Sequence, residues 1–154
     1  MKISIIIPTY LRSDKLADCL RSIWEWTDMS QAEVIFVANG APEETRGVCA
    51  HYVNPSGGQR DLKLLWYDEP LGYPKAVNHG IRAATGEYFV LLNDDAELLP
   101  QTPNEWIDVL LKPMLADERV GITGPLQATD ENSGHEFLIF FCVMLRRTCL
   151  DELG

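Results

Sequence analysis

The chain has 154 residues, of which 46% are hydrophobic and 23% are charged, as in an ordinary globular protein. Its length predicts a single domain with a sizeable core. Thirteen basic and 23 acidic side chains give a net charge of −10. This charge argues against binding of nucleic acid or of an anionic membrane, and an anionic ligand would need a local cation to be held.

Four continuous apolar runs predict buried strands. They begin near residue 3 (ISIII), residue 34 (VIFV), residue 62 (LKLLW) and residue 87 (EYFVLL). Because the runs are continuous rather than alternating, they are typical of parallel strands that are covered on both faces.

Helical patterns lie between these runs. An apolar stripe from Leu16 to Trp24 predicts an amphipathic first helix, and residues 42–53 predict a weaker second one. Pro74 can open a third helix, which we expect Gly86 to close. Strand and helix therefore alternate along the first half of the chain.

The second half begins with Thr102-Pro103-Asn104-Glu105, which has the pattern of a capping box and predicts a helix through about Leu115. A short strand is expected over 120–123. The polar stretch 127–135 predicts a loop, and the apolar stretch 136–147 predicts one returning strand.

The cysteines are scattered through apolar stretches without CxxC pairing, which favours buried free thiols in a reducing compartment over a zinc site. The longest apolar run, 137–145, is too short for a helix that spans a membrane. The N-terminus does not have the pattern of a signal peptide. We therefore expect a cytoplasmic protein with no membrane span.

Alternation of strands and helices predicts an α/β sandwich, in which ligands bind beyond the carboxyl ends of the strands. The segments that follow the four strands are 8–12, 38–42, 67–78 and 93–97. These segments are the candidate site.

The last of them contains two adjacent carboxylates, Asp94 and Asp95, directly after one of the most apolar strands. A solvated turn is one explanation of the pair. The other is a site for Mg²⁺ or Mn²⁺, which take one or two carboxylates and complete their shell with water and phosphate oxygens. A bound cation would relieve the repulsion between the carboxylates and attract phosphates that the net charge otherwise repels.

Other phosphate-binding and catalytic signatures are missing from the sequence. It contains no GxxxxGK[ST], GxGxxG, GxSxG or HExxH, and its three histidines do not share a metal-ligand spacing. This pattern leaves the acidic pair as the main chemical signal.

Four blocks of sequence together resemble one family, the family 2 glycosyltransferases. They are ISIIIPTYLRSDKLADCLRSI, EVIFVANGA, LGYPKAVNHGIRAATGEYFVLLNDDAEL and VMLRRTCLDELG, and they occur in the family's order and approximate spacing. The chain is most similar to the rhamnosyltransferase-like enzymes of bacterial surface polysaccharides. The resemblance implies a GT-A fold, a three-layer sandwich with a mostly parallel central sheet. It also implies inverting transfer from a nucleotide-diphospho-sugar to a glycan or a lipid-linked acceptor.

The resemblance also implies roles for particular residues. Asp95 matches the carboxylate that binds the metal, and Asp94 matches a more variable position near the ribose or the metal's water shell. Asn39 would lie at the base edge, where family members usually carry Asp one position earlier and this chain has Ala38. The other residues expected at the nucleotide are Pro8, Thr9, Tyr10, Arg12, Gly72, Lys75 and Asn78.

Inverting transfer needs a general base at the acceptor hydroxyl. Family members generally supply it from an acidic motif shortly after the RR…LG segment, so we expect the base beyond Gly154. Residues 1–154 are then one GT-A domain, with a nucleotide-binding part in 1–100 and an incomplete acceptor part in 101–154. Self-association through an exposed part of FLIFFCVML is expected. The carboxylates Asp130, Glu131, Glu136, Asp151 and Glu152 do not stand in the matching place.

Two other functions are compatible with the sequence. A sugar-nucleotide nucleotidyltransferase also uses a metal and Asp, but PTYLRSD lacks the glycine- and arginine-rich loop that it would need. A non-catalytic nucleotide- or partner-binding module is the other alternative.

Overall fold

The computed structural model describes residues 2–10, 13–53, 62–125, 127–130 and 133–153. These residues form a six-stranded sheet flanked by helices, together with a separate two-stranded sheet. The elements, in chain order, are β1 (Ile3–Thr9), α1 (Ser13–Trp26), β2 (Ala32–Asn39), α2 (Glu43–Val53), β3 (Leu62–Tyr67), α3 (Tyr73–Ala83), β4 (Tyr88–Leu92), α4 (Glu105–Ala116), β5 (Ile122–Thr123), β6 (Gln127–Thr129), β7 (Glu136–Leu138), β8 (Cys142–Arg146) and α5 (Arg147–Leu153).

The six-stranded sheet has the order β3-β2-β1-β4-β8-β5. Its first four strands are parallel, and β8 runs antiparallel to both β4 and β5. The chain moves outward from β1 to β3 and then returns to place β4 on the other side of β1. This reversal opens a crevice between the carboxyl ends of β1 and β4, where sheets of this kind bind ligands.

Two apolar clusters cover the two faces of the sheet. On one face, alternate residues of β1 and β2 such as Ile5 and Phe36 pack with α1, α2 and α4. On the other face, Ile6, Val37 and Phe89 pack with α3 and α5. Because both faces are covered, the central strands are buried along their whole length. The predicted three-layer α/β sandwich with a mostly parallel sheet is confirmed.

The region after β5 differs from its prediction. The polar stretch 127–135 was expected to be a loop, but 127–129 form β6 and pair with β7. The apolar stretch 136–147 was expected to be one strand, but it breaks between β7 and β8. Apolar periodicity did not locate this break, because both pieces are apolar and β-prone.

Helix α4 begins later than the capping box predicts. Its N-cap is Asn104, which has a φ of 70°, rather than Thr102. Half of the box nevertheless forms, since a carboxylate oxygen of Glu105 accepts the backbone N–H of Thr102 at 3.1 Å. The side-chain amide oxygen of Asn104 instead accepts the N–H of Asp28, which ties the start of α4 to the end of α1.

Helix α3 also ends earlier than expected. Its C-cap is Ala84, whose N–H bonds to the carbonyl of Ile81, so Gly86 lies past the helix. His79 on α3 is half-buried, and its Nδ1 lies 2.8 Å from the hydroxyl of Tyr67. Tyr67, the last residue of β3, covers the side chain at this position of the helix.

A buried polar cluster joins the amino ends of the strands. The Glu33 side chain, 1% exposed, lies 2.8 Å from the ammonium group of Lys63. It also accepts hydrogen bonds from the hydroxyl of Ser4 and from the backbone N–H and hydroxyl of Thr85. Burial by itself would raise the pKa of Glu33, but these hydrogen bonds outweigh it and lower the pKa to about 2.

The cysteines are all free thiols, and Cys19, Cys49 and Cys142 are buried, as predicted. Across the described ranges, no helix has the length and apolar character that a membrane crossing requires.

Candidate active-site cleft

A cleft of about 510 Å³ lies at the carboxyl ends of β1, β2 and β4. It therefore occupies the crevice that the strand order creates. The described residues that line it are Pro8, Thr9, Tyr10, Asn39, Pro70, Gly72, Tyr73, Asn93, Asp94 and Asp95.

The end of β1 supplies one wall of the cleft. Thr9 is buried, and its hydroxyl donates a hydrogen bond to a carboxylate oxygen of Asp94. The next residue, Tyr10, leaves the strand and exposes 48% of its surface. The wall thus pairs a fixed polar contact with an accessible aromatic ring.

The turn after β4 carries the acidic pair and is held by several backbone contacts. The N–H of Asn93 donates to the carbonyl of Phe141, while the carbonyl of Asn93 accepts from the N–H of Ala96. The thiol of Cys19 donates to the same carbonyl at 3.7 Å. These contacts fix the direction in which the two following carboxylates leave the turn.

The two carboxylates have different surroundings. Asp94 is half-buried and engaged with Thr9, whereas Asp95 is exposed. Burial, together with the negative charges of Asp94 and Asp95, raises the pKa of the Cys19 thiol to about 12. The thiol beneath the turn is therefore neutral at ordinary pH and adds no negative charge to the two carboxylates.

The end of β2 forms the opposite wall. Asn39 is 7% exposed, and its side-chain oxygen accepts the backbone N–H of Leu71 at 2.6 Å. Gly40 has a φ of 70°, and a Cβ at this position would lie 2.8 Å from the ring of Pro70. The close approach at Gly40 and the Asn39 hydrogen bond together place the 70–72 segment along the cleft.

The start of α3 completes the cleft. Gly72 is the N-cap, with a φ of 81° that L side chains rarely adopt. Tyr73 follows it, exposes 45% of its surface, and has its hydroxyl pKa raised by burial. Lys75 and Asn78 are exposed on α3 and are not among the described residues that line the cleft.

Of the ten residues expected at the site, seven line this one cleft, namely Pro8, Thr9, Tyr10, Asn39, Gly72, Asp94 and Asp95. Arg12 lies outside the described residues, and contacts of Lys75 and Asn78 with a ligand stay predictions. The expectations did not include the other three residues that line the cleft, Pro70, Tyr73 and Asn93, although all three fall in the candidate segments 67–78 and 93–97. The sequence signal that could have indicated Tyr73 is its position directly after Gly72, the N-cap of α3.

The donor set of the cleft fits a hard divalent cation. Within the described part of the chain, no group of three or more His, Cys, Asp and Glu residues could hold a metal by itself. Two adjacent carboxylates, one of them exposed, suit Mg²⁺ or Mn²⁺ when water and a phosphate-bearing ligand complete the shell. Asp95 is the more accessible of the two carboxylates, because Asp94 is half-buried and accepts a hydrogen bond from Thr9.

Comparison with known proteins supports the sequence resemblance. Residues 4–153 match the family model for Glycosyl transferase family 2, which confirms what the four sequence blocks indicate. The O-antigen biosynthesis protein RfbC of Myxococcus xanthus is 33% identical over 124 residues, which are 80% of this chain and 9% of that protein. The glycosyltransferase GlyG of Streptococcus pneumoniae is 24% identical over 152 residues, 99% of this chain and 47% of GlyG. The chain therefore spans half or less of the length of these relatives.

Solved structures show the same fold. The mannosyltransferase PcManGT from Pyrobaculum calidifontis, in complex with GDP-Man and Mn²⁺, superposes with a TM-score of 0.80 at 21% identity, covering 99% of this chain and 46% of PcManGT. TarS of S. aureus in complex with UDP-GlcNAc superposes with a TM-score of 0.73 at 18% identity, covering 99% of this chain and 47% of the TarS chain. The sheet and its helices thus form the GT-A fold.

Proposed function

This chain belongs to glycosyl transferase family 2, and we propose that it binds a nucleotide-diphospho-sugar in the cleft at the carboxyl ends of β1, β2 and β4. The observation that carries the proposal is the meeting of Thr9, Asp94 and Asp95 in one cleft at the point where the strand order reverses. PcManGT and TarS were solved with nucleotide sugars, which supports a donor of the same class.

The walls of the cleft suit the parts of such a donor. Tyr10 and Tyr73 offer partly exposed aromatic rings on which a base can stack. The side-chain amide of Asn39 can bind the edge of the base. Asp94, which accepts a hydrogen bond from Thr9, would lie under the ribose. The N-terminal end of α3, at Gly72, adds a partial positive charge near the diphosphate.

Asp95 would hold Mg²⁺ or Mn²⁺ at the mouth of the cleft. When bound there, the cation supplies compensating charge for the diphosphate and for the nucleoside diphosphate as it departs. Because the chain carries a net charge of −10, an anionic donor depends on such local compensation.

The proposed reaction is inverting transfer. A general base removes the proton of an acceptor hydroxyl, whose oxygen attacks the anomeric carbon as the bond to the diphosphate oxygen breaks. The sugar passes to the acceptor with inverted configuration, and the nucleoside diphosphate leaves. The similarity to RfbC favours a glycan or a lipid-linked acceptor in polysaccharide synthesis, and the free thiols favour a cytoplasmic setting.

Asp95→Asn tests the donor and cation proposal. Calorimetric titration with UDP, GDP or TDP should show binding that strengthens with MnCl₂ in the wild-type protein. In the variant, the manganese-dependent part should fall about tenfold or more, which corresponds to about 1.4 kcal/mol. Asp108→Asn is the matched control, because it removes an exposed carboxylate on α4 away from the cleft. Equal manganese-dependent affinity in wild type and Asp95→Asn would refute the cation site.

A non-catalytic nucleotide-binding module is the second candidate. Among the described residues, Asp94 and Asp95 are the only carboxylates that line the cleft, and both are assigned to the donor and its cation. Binding of nucleoside diphosphates without transfer to any acceptor would favour this candidate for residues 1–154.

A further inference from the structure

Two side chains of α1 contact the turn that carries the acidic pair, one near each end of the turn. The thiol of Cys19 donates to the carbonyl of Asn93 at 3.7 Å, directly before the two carboxylates. The hydroxyl of Ser22 accepts the backbone N–H of Leu98 at 3.0 Å, after them. The acidic pair therefore lies on a short segment that is attached to the same helix at both ends.

The Ser22 hydroxyl is buried and bonded on two sides. The residue is 3% exposed. Its hydroxyl donates to the carbonyl of Cys19 at 2.9 Å, as a serine often does within its own helix. The same oxygen accepts the N–H of Leu98, which lies 76 positions away in the sequence. Because water has little access to this oxygen, the bond to Leu98 is stronger than a similar bond at the surface.

The other polar contact between α1 and this turn is exposed. Arg21 lies 3.6 Å from a carboxylate oxygen of Glu97, and more than half of each side chain is accessible to solvent. Solvent screens pairs of this kind, so they contribute little. The buried hydroxyl of Ser22 is therefore the contact that restrains the far end of the turn.

We propose that Ser22 is a positioning residue for the acidic turn. Through Leu98 it holds the backbone so that the carboxylate of Asp95 is directed toward the cation. This inference rests on the proposed donor and cation function, and it assigns a part in that function to a residue that does not line the cleft. A metal ligand has to be held within about 0.5 Å of its productive position. Without the hydroxyl, the end of the turn is free to move, and the carboxylate occupies that position for less of the time.

Ser22→Ala removes the hydroxyl and keeps a good helix former. Calorimetric titration with UDP, GDP or TDP, in MnCl₂ and in EDTA, measures how much the cation strengthens binding. The ratio of the two affinities should fall roughly 3- to 10-fold, at or below the low end of the loss that follows removal of a contact that orients a metal ligand. The affinity in EDTA should stay nearly unchanged, because the other walls of the cleft are intact. Ser22→Cys, whose thiol is a weak acceptor, should lower the ratio in the same direction and replaces Ser22→Ala if that variant does not fold.

Thr27→Val is the matched control. Thr27 is also buried, and its hydroxyl accepts an N–H from a distant residue, the indole of Trp106, at 3.1 Å. This contact involves α4 and not the acidic turn. Its loss should lower the thermal stability about as much as Ser22→Ala does and leave the ratio of affinities unchanged.

Two outcomes would overturn this inference and leave the proposed function intact. One is an unchanged ratio in a folded Ser22 variant, while Asp95→Asn lowers it. The other is an equal fall of the ratio in Thr27→Val and Ser22→Ala, because a general loss of stability would then explain both. If Asp95→Asn itself leaves the ratio unchanged, the cation site and this inference fail together. If no nucleoside diphosphate binds in MnCl₂, the proposed donor function fails as well.

Discussion

Asp94 and Asp95 are neighbours in sequence but occupy different environments. The first is half-buried and bonded to Thr9, and the second is exposed at the cleft mouth. A pair of carboxylates in this arrangement need not act as two equal ligands. One links the ends of β4 and β1, and the other is accessible to a cation.

We expect the Tyr73 ring to stack on the base, so that its removal lowers the affinity for nucleoside diphosphates. Its ring is 45% exposed and lines the cleft beside Gly72. Stacking of a base on an aromatic ring contributes roughly 1–3 kcal/mol. Tyr73→Leu should therefore weaken nucleoside diphosphate binding about 5- to 100-fold in calorimetric titrations.

Tyr73→Phe is the control for this change, because it keeps the ring and removes the hydroxyl. It should bind within a few-fold of the wild type. If Leu and Phe at this position gave equal affinities, Tyr73 would not stack on the base. Thermal unfolding of both variants should stay close to the wild type, since the side chain is only partly buried.

The position of the acidic pair could be predicted from the sequence, because the pair directly follows a buried strand and so lies at the carboxyl edge of the sheet, in the cleft. The roles of Asp94 and Asp95 toward a donor and a cation stay predictions. The hydrogen bond from the Leu71 N–H to Asn39 could not be predicted, because it joins side chain and backbone across 32 positions. Single-sequence patterns do not carry such pairings.

At the scale of elements, α1 supports the turn that follows β4. Cys19 donates to the carbonyl of Asn93, and the hydroxyl of Ser22 accepts the N–H of Leu98. Arg21 lies 3.6 Å from a carboxylate oxygen of Glu97. Consecutive turns of one helix thus hold the 93–98 segment, which explains why an exposed turn can present its carboxylates in a fixed direction.

The amino ends of the strands are joined by Glu33, and this cluster predicts an acid-dependent stability. The pKa of Glu33 is about 2 in the folded protein and near its ordinary value of 4.5 in the unfolded chain. Its ionised form therefore stabilises the fold above pH 4.5 by about 3 kcal/mol. This stabilisation is lost as the pH falls from 4.5 through 2, which urea unfolding at pH 7, 4 and 2.5 would measure.

Lys63→Met sharpens the test of the Glu33 cluster. At pH 7 it leaves a buried carboxylate with weaker compensation, and we expect a loss of about 2–3 kcal/mol because Lys63 is itself 41% exposed. The loss should be smaller at pH 3 than at pH 7, because removal of the ammonium group raises the pKa of Glu33 and less of the carboxylate is then left charged without its partner. Lys112→Met, an exposed change on α4, should cost little at either pH. An equal cost of Lys63→Met at both pH values would contradict the ion pair.

The order and type of the elements up to β4 could be read from the sequence, because short apolar runs rich in Ile, Val, Leu and aromatic residues alternate with stretches of helical pattern. The boundaries that failed depend on tertiary contacts. Helix α4 starts at Glu105 because Asn104 bonds to Asp28 in a distant turn. Likewise, β6 forms because it meets β7, which hydropathy alone does not show.

At the scale of the molecule, the polarity of the sheet separates two tasks. The amino ends of β1 to β4 meet at the Glu33 cluster, and the carboxyl ends of β1, β2 and β4 meet at the cleft. A strongly acidic protein would then bind the proposed anionic donor at one edge of the sheet, where the proposed cation would compensate its charge. Phe137 and Phe140 are about half exposed near the second sheet, and self-association through them stays a prediction.

We expect residues 1–154 by themselves to bind a nucleotide sugar but to transfer its sugar slowly. Among the described residues, the cleft is lined by no carboxylate besides Asp94 and Asp95. Asp130, Glu136, Asp151 and Glu152 are exposed outside the cleft. A missing general base typically lowers a rate by about 10²–10⁴, and poor placement of the acceptor lowers it further.

Steady-state assays with UDP-, TDP- and GDP-sugars and several glycan acceptors, in MnCl₂, would measure this. Calorimetric titration with the same donors is the matched measurement, and it should show strong binding. The rate at which nucleoside diphosphate is released should be nearly the same with and without acceptor. Fast transfer by residues 1–154 would contradict the expectation and require a base outside the cleft. Asp130→Asn and Glu136→Gln would then locate it, because loss of the base lowers the rate of transfer and leaves the affinity for donor unchanged.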